Sequence, residues 1–414
     1  MNRKSFLILL GLLAVLGGAG LALFWNDLSA WRKADAKIGA KLFEKLAVND
    51  VAQIQLTDGK GSVRLLIKDK RWVVEQRNGY GANNQDIGEL LIKLTDLKVV
   101  QTESVGESLL PRLNLVDPGK DTKDAKTDAK TDAKADEKAD AKVDAKVDAK
   151  GTRLELFDAA GKSMASILLG KKVIKTEDSP LPIKPQTPVG RYVLMPGSPT
   201  VLVVSDALVV AEANAGRWLA KNFFKAERVR ALAVSGDGAQ WKISRPEEYG
   251  QWKFADGAGE LDASAAVGAV NALAGLAFND IAIDVKAEAL AKARTFVAET
   301  YDNLSYTVKI AKKAEGDDYY LTVAIAGEPP RERKPEKGEK PEDKERLDKQ
   351  FAEALGKLDE RLKAEKELGA WTFVVAGKTL EPLLKDRAGL IAKPRQPGAG
   401  GPPGMPPGMF PGMR

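Results

Sequence analysis

Residues 51–97 and 229–276 carry one pattern twice, and that repetition restricts the fold more than any other feature of the chain. In the first copy "VAQIQLT" alternates around Ile54 and Leu56, "SVRLLIK" around Val63, Leu65 and Ile67, and "RWVVE" follows a short charged turn. Asn83 or Asn84 then caps a helix whose apolar positions Ile87, Leu90, Leu91, Leu94 and Leu97 fall at helical spacing. In the second copy "VRALAVS" puts Leu232 and Val234 where Ile54 and Leu56 stood, and "GQWKFA" puts Trp252 where Trp72 stood. Asp262 caps a helix carrying Val270, Leu273 and Leu276. The offsets stay between 178 and 180 residues. A constant offset over three strands and a helix indicates internal duplication.

Each copy is followed by a strand-rich second module. In the first, "TRLELFDAAGKSMASILLG" and "GRYVLMPGSPTVLVVSD" read as hairpins and "GRWLAKNFF" as a short helix. In the second, "TFVAETYDNLSYTVKI", "YYLTVAIAG" and "WTFVVAG" read as strands and "LEPLLKDRAGLI" as a helix. The fold class expected is α+β, two tandem repeats of antiparallel sheets with packed helices. The modules fall at 46–116 and 151–225 in repeat one, and at 226–285 and 294–392 in repeat two.

The N-terminal segment, 1–30, has a different character. "FLILLGLLAVLGGAGLALFW", Phe6 to Trp25, holds no charged residue. As a helix it measures about 30 Å, the thickness of a bilayer core, and it is longer than a usual signal-peptide apolar run. A single retained membrane span is the expectation. Arg3 and Lys4 precede it, but Arg32, Lys33 and Lys37 follow, so the positive-inside rule gives the bulk of the chain only a modest preference for the outside.

Composition removes whole classes of chemistry. The 414 residues include no Cys and no His, so thiolate chemistry, sulfur-based metal sites and the usual neutral-pH proton carrier are absent. The net charge of +6 is the difference between 64 cationic and 58 anionic residues spread along the chain, a pattern unlike a nucleic-acid surface. No catalytic constellation, cofactor fingerprint or metal motif stands out. "AAGKS", Ala159 to Ser163, has Leu156 where a phosphate loop needs Gly, and it sits between two strands, so it reads as a hairpin turn. Trp72 with Trp252 and Trp241 with Tyr306 read as core residues before they read as a carbohydrate platform.

Three segments interrupt the repeats. The tract from Asp124 to Lys150, seven near-copies of Asp-Ala-Lys inside a 117–150 linker, stacks like charges at helical spacing and offers residues that sheets avoid, so a disordered spacer is expected. The Pro/Gly/Met tail, 393–414, repeats glycine every four residues rather than three, which excludes collagen; its Met405, Met409 and Met413 have no His or Cys beside them, so it reads as disordered. Residues 341–368 form a long charged helix with Leu347, Phe351, Leu355, Leu358 and Leu362 in one coiled-coil-like seam, started by Pro341 and ended by Gly369. That seam either receives a partner or packs on its own sheet.

The N-terminal span together with "VNDVAQIQLTD", "RWVVEQRNGYGANNQDIGELLIKLTDLKVVQTE", "GRYVLMPGSPTVLVVSD", "FNDIAID", "KPEDKERLDKQFAEALGKLDERL" and "LLKDRAGLIA" resembles the bacterial family described as domain of unknown function 4340, over about residues 1–392. The resemblance implies a non-enzymatic, membrane-anchored scaffold or binding subunit accessory to an ABC transport complex of the gliding-motility type. It implies a single-pass inner-membrane protein with a periplasmic body and protein partners. A periplasmic enzyme using paired carboxylates, or a carbohydrate-binding module, is the alternative. The family carries no catalytic residues to transfer.

Overall fold

A computed structural model describes residues 38–119, 149–176, 184–335 and 339–392. The expected span Phe6–Trp25, nearly all of the Asp-Ala-Lys tract and the tail lie outside those residues. Among the described residues no helix is long and apolar enough to cross a membrane. The chain divides into two compact units, Met1–Ala220 and Lys221–Arg414.

In unit 1 the alternating segments form β1 (Gln53–Thr57), β2 (Ser62–Lys68), β3 (Arg71–Val74) and the short β4 (Tyr80–Gly81). Helix α1 (Asn84–Asp96) follows, and its Asn83 cap accepts a hydrogen bond from the Gln85 N–H at 3.1 Å. Then come β5 (Val99–Ser104), a 3-10 segment Glu107–Leu113, β6 (Thr152–Phe157), β7 (Ser163–Thr176), β8 (Gln186–Leu194) and β9 (Thr200–Val204). All nine strands make one antiparallel sheet in the order β4-β3-β2-β1-β6-β7-β8-β9-β5. Residues 117–150 therefore mark no boundary in the sheet, because β6 of the second module hydrogen-bonds directly to β1 of the first.

The order dictates the architecture. The chain leaves β4 at one edge, and α1 delivers it to β5 at the other. A flat sheet of nine strands would separate those edges by about 38 Å. Thirteen helical residues cover only about 20 Å, so the sheet curls around the helix. Ile87, Leu90, Leu94 and Leu97 are buried, as are Ile54, Leu56, Val63, Leu65, Leu154 and Leu156 of the sheet. Register confirms that the strand residues share one face, with Ile54 opposite Leu65 and Leu156, and Leu56 opposite Val63 and Leu154.

Unit 2 repeats this topology. Its strands are β10 (Val229–Gly236), β11 (Ala239–Ser244), β12 (Lys253–Phe254), β13 (Asp280–Ala282), β14 (Arg294–Thr300), β15 (Leu304–Lys312), β16 (Asp318–Gly327) and β17 (Thr372–Ala376), ordered β12-β11-β10-β14-β15-β16-β17-β13. Helix α2 (Ala263–Ala274) makes the same edge-to-edge passage, capped by the Asp262 carboxylate, which accepts from Ser264 and Ala265 N–H. Leu232 opposes Ile243 and Ala298, and Val234 opposes Trp241 and Phe296, the same register as Ile54 and Leu56. A short helix α3 (Ala287–Leu290) lies on the return path to β14.

Two expected helices are not present. "GRWLAKNFF" makes only a 3-10 turn at Ala215–Trp218, because Asn83 N–H donates to Trp218 O and Ala220 N–H to Gly81 O, a strand-like pairing that holds the segment extended. "LEPLLKDRAGLI", Leu380 to Ile391, begins on the last residue of the short helix α5 (Gly377–Leu380, after α4 below) and continues as turns that end in a 3-10 turn Arg387–Leu390, with Leu380, Leu383 and Leu390 buried.

The Asp-Ala-Lys insertion enters and leaves unit 1 through a closed neck. Val116 N–H donates to Ala149 O at 3.2 Å and Gly151 N–H to Val116 O at 2.9 Å. Closing any insertion at such a neck costs entropy that grows with the logarithm of the number of residues inserted. Replacing residues 120–148 by a four-residue Gly/Ser link should therefore raise the stability of unit 1 by roughly 1 kcal/mol in urea unfolding. A loss of that size would mean that the tract packs on the unit.

Candidate functional site

Between the neighbouring strands β16 and β17 stands α4 (Pro341–Glu367), 27 residues that neither strand needs for its pairing. Pro341 occupies the first turn, where its missing N–H has no consequence, and Glu342 and Asp343 suit the positive end of the helix. Arg331 and Arg333 hold the helix from the preceding segment. Arg331 pairs with Asp359 at 2.5 Å, and Arg333 pairs with Asp348 at 2.8 Å and with Glu339 at 2.5 Å.

The seam reads Phe351, Leu355, Leu358, Leu362, and it continues through Glu365 to Leu368. Leu362 is 4% exposed, Glu365 4% and Leu368 9%, so the C-terminal end of α4 is sunk into the unit. Leu347, Phe351, Leu355 and Leu358 are only half-buried. Phe351, Leu355 and Leu358 line an open groove of about 660 Å³ with Pro329, Pro330, Tyr301 and Arg361. Leu347 does not reach it. The seam faces this groove rather than a second helix, so α4 forms no coiled coil among the described residues.

Glu365 is the residue that apolar spacing did not single out. Its carboxylate accepts from the Tyr306 hydroxyl at 3.1 Å and from the Lys225 N–H at 3.2 Å, and Arg361 lies 3.4 Å away. Arg361 in turn reaches Glu227 at 2.6 Å. The signal available in the sequence was a Glu three residues after Leu362 and three before Leu368, a charge set inside an apolar stripe. Burial pushes the Glu365 carboxyl above its ordinary value of 4.5, against the opposing pull of Arg361 and Tyr306. It also pushes the Tyr306 phenol upward.

The sign of the resulting pH effect follows from linkage. Between its unfolded and folded pKa, Glu365 keeps a proton when folded that it loses when unfolded, so its contribution is largest at acid pH and is lost as pH rises through the folded value. Relative to Glu365→Gln, the native protein should thus lose stability from about pH 4.5 upward and then level off. Paired urea titrations across that window measure the difference. A flat or rising difference would refute the assignment.

Other sequence features take ordinary roles. In the "AAGKS" turn the Asp158 carboxylate accepts from Ala160 N–H at 2.9 Å and Lys162 N–H at 2.8 Å, and Gly161 takes φ 78°, as a hairpin requires. Trp241 is 3% exposed and Tyr306 1%, so they form core, not a platform. The Trp252 ring is covered by the Arg245 guanidinium at 4.8 Å. The buried Glu365 carboxyl faces Tyr306 rather than an open cleft, so it supplies no half of a catalytic carboxylate pair.

A family model described as "Domain of unknown function (DUF4340)" matches residues 72–295, just over half of the chain. No curated protein and no solved structure matches.

Proposed function

Because the chain belongs to the family described as domain of unknown function DUF4340, we propose that it is a non-enzymatic scaffold or binding subunit, anchored by Phe6–Trp25 in the bacterial inner membrane with a periplasmic body, and accessory to an ABC-type transport complex. The observation that carries the binding role is α4. A 27-residue helix is inserted between two strands that pair without it, and its apolar seam is left lining an open groove of about 660 Å³. Fold stability alone asks for none of this, since unit 1 closes the same sheet order with no counterpart of α4.

The occupant that suits this groove is a protein segment offering one or two apolar anchors. Phe351, Leu355 and Leu358 give it an apolar wall, while Arg228, Lys334 and Lys357 at the margin give it a polar rim, the usual anatomy of a protein interface. Substituting Leu355→Asp and Leu358→Asp together should reduce co-purification of membrane partners at least tenfold, while β15 and β16 keep their native hydrogen-exchange protection. Deleting Pro341–Glu367 behind a short link should abolish it. Recovery of the same partners in the same yield from either variant would sink the proposal.

A further inference from the structure

The outer face of the unit 1 sheet, opposite α1, carries a second cleft of about 860 Å³. Its floor is built from two rows of side chains fixed by register. Arg153 lies opposite Leu168, Leu168 opposite Leu194, and in the next row Glu155 lies opposite Ser166. The roof is the segment that returns from β5 to β6. Leu110, Leu113 and Leu115 of that segment pack against Leu168 and Val201. One end is walled by the β8–β9 turn, Met195 to Pro199.

The roof comes close because two glycines allow it. A Cβ on Gly170 would lie 2.5 Å from Leu113 O, and one on Gly151 would lie 2.6 Å from Asn114 O. Leu194, Leu110 and Val105 nevertheless remain half-buried and line open space.

The duplication supplies an internal control for what the fold requires. By the shared register, the row Arg153, Leu168, Leu194 of unit 1 corresponds to Thr295, Lys309, Thr322 of unit 2, where Thr295 lies opposite Lys309 and Lys309 opposite Thr322. The same sheet order is thus built with a polar row at that place. The two leucines in that row, Leu168 and Leu194, are a property of this copy and not of the scaffold.

Its charges are unbalanced. Among the described residues, Glu107, Asp117 and Glu155 line the cleft against a single cation, Arg153, which Asp117 already engages. The side chains of Glu155 and Ser166 have no hydrogen-bond or ion-pair partner among the described residues. In a protein of net charge +6, an apolar trough with spare carboxylates is locally opposite to the whole.

We propose that this cleft binds an extended apolar peptide segment of a protein partner that carries one lysine or arginine. The cation pairs with Glu155 beside the Ser166 hydroxyl, and flanking apolar side chains lie on Leu194, Leu110 and Val105. A charge-assisted hydrogen bond supplies the preference for a cation, and the volume is of the order that a short ligand fills. The site stands on unit 1 alone, so it holds or fails independently of the groove beside α4.

The test uses the full chain in phosphatidylcholine discs, with empty discs subtracted, and three fluorescent peptides of sequence Val-Leu-Xaa-Leu-Val in which Xaa is lysine, norleucine or glutamate. The lysine peptide should bind saturably, the norleucine peptide about tenfold more weakly, and the glutamate peptide not measurably. Glu155→Gln should weaken the lysine peptide about tenfold and leave the norleucine peptide unchanged, which a folding defect would not do. Leu194→Asp should remove binding of both. Equal binding of the three peptides, no binding of any, or indifference of the lysine peptide to Glu155→Gln overturns the assignment.

Discussion

Arg191→Met is expected to lower the stability of unit 1 by roughly 3–5 kcal/mol, read by urea unfolding. Arg191 lies in β8 with only 7% of its surface exposed. Its Nε donates to Gly170 O at 2.8 Å, and one terminal nitrogen donates to Leu208 O at 3.2 Å and Ala207 O at 3.4 Å. All three acceptors are backbone carbonyls. Burial drags its pKa down to about 10, with Glu212 acting weakly in the other direction, so at neutral pH the guanidinium is still charged. Exchanging a buried ion pair for apolar groups can be harmless, because both charges disappear together. Here the partners belong to the main chain and cannot be removed, so methionine would take the Arg191 donor from the Gly170 and Ala207 carbonyls, while Leu208 O keeps its bond from Ala211 N–H. Arg191→Lys keeps the charge and part of the bonding, and it should fall between the two. If Arg191→Met unfolds within about 1 kcal/mol of the native protein, water already solvates those carbonyls and the burial argument is wrong.

The contrast between what was and was not legible in the sequence follows from the range of the interactions involved. Strand alternation at Ile54 and Leu56 and helical spacing at Leu90 and Leu94 are local, and the repeat at Leu232 and Val234 doubled the evidence for them. The caps at Asn83 and Asp262 were legible for the same reason, since a cap is satisfied two or three residues away. Sheet order was not legible. That β1 pairs with β6, about a hundred residues later, and that β5 crosses to the far edge beyond β9 are long-range choices which alternation cannot encode. The segment "GRWLAKNFF" misled because Trp218 and Leu219 are buried where the chain pairs with Gly81 and Asn83, and Phe224 is buried against Tyr306, not by a helical stripe.

The candidate sites divide in the same way. The seam of α4 was visible as a spacing, but its groove depends on Pro329, Tyr301 and Arg361, which lie far apart in sequence. The unit 1 cleft was invisible because its floor combines the β6–β7 hairpin with β8 and its roof comes from the crossing segment, and no short window of sequence contains more than the hairpin.

Leu90→Ala should destabilise unit 1 by about 3–4 kcal/mol, the middle of the range for buried leucines. Leu90 is 0% exposed in the middle of α1, the helix that the sheet curls around. The buried face of the helix, with Ile87, Leu90 and Leu94, lies against strands that hold one another in place, so the cavity cannot collapse and the loss contains both a transfer and a cavity contribution. Ile92, two residues away on the same helix, is 64% exposed. Ile92→Ala removes a β-branched residue from a solvent face and should change stability by no more than about 0.5 kcal/mol. Leu273, 0% exposed in α2, occupies the equivalent passage in unit 2, and Leu273→Ala should cost that unit as much. Hydrogen exchange resolved by segment separates the two cases, with β1 and β6 reporting on Leu90 and β10 and β14 on Leu273. Duplication of topology would then extend to duplication of energetics, with each crossing helix acting as the clasp of its own sheet. A small loss at Leu273 beside a large one at Leu90 would mean that the alanine-rich face of α2, with Ala265, Ala266 and Ala269 buried, spreads the closure of unit 2 over many small contacts.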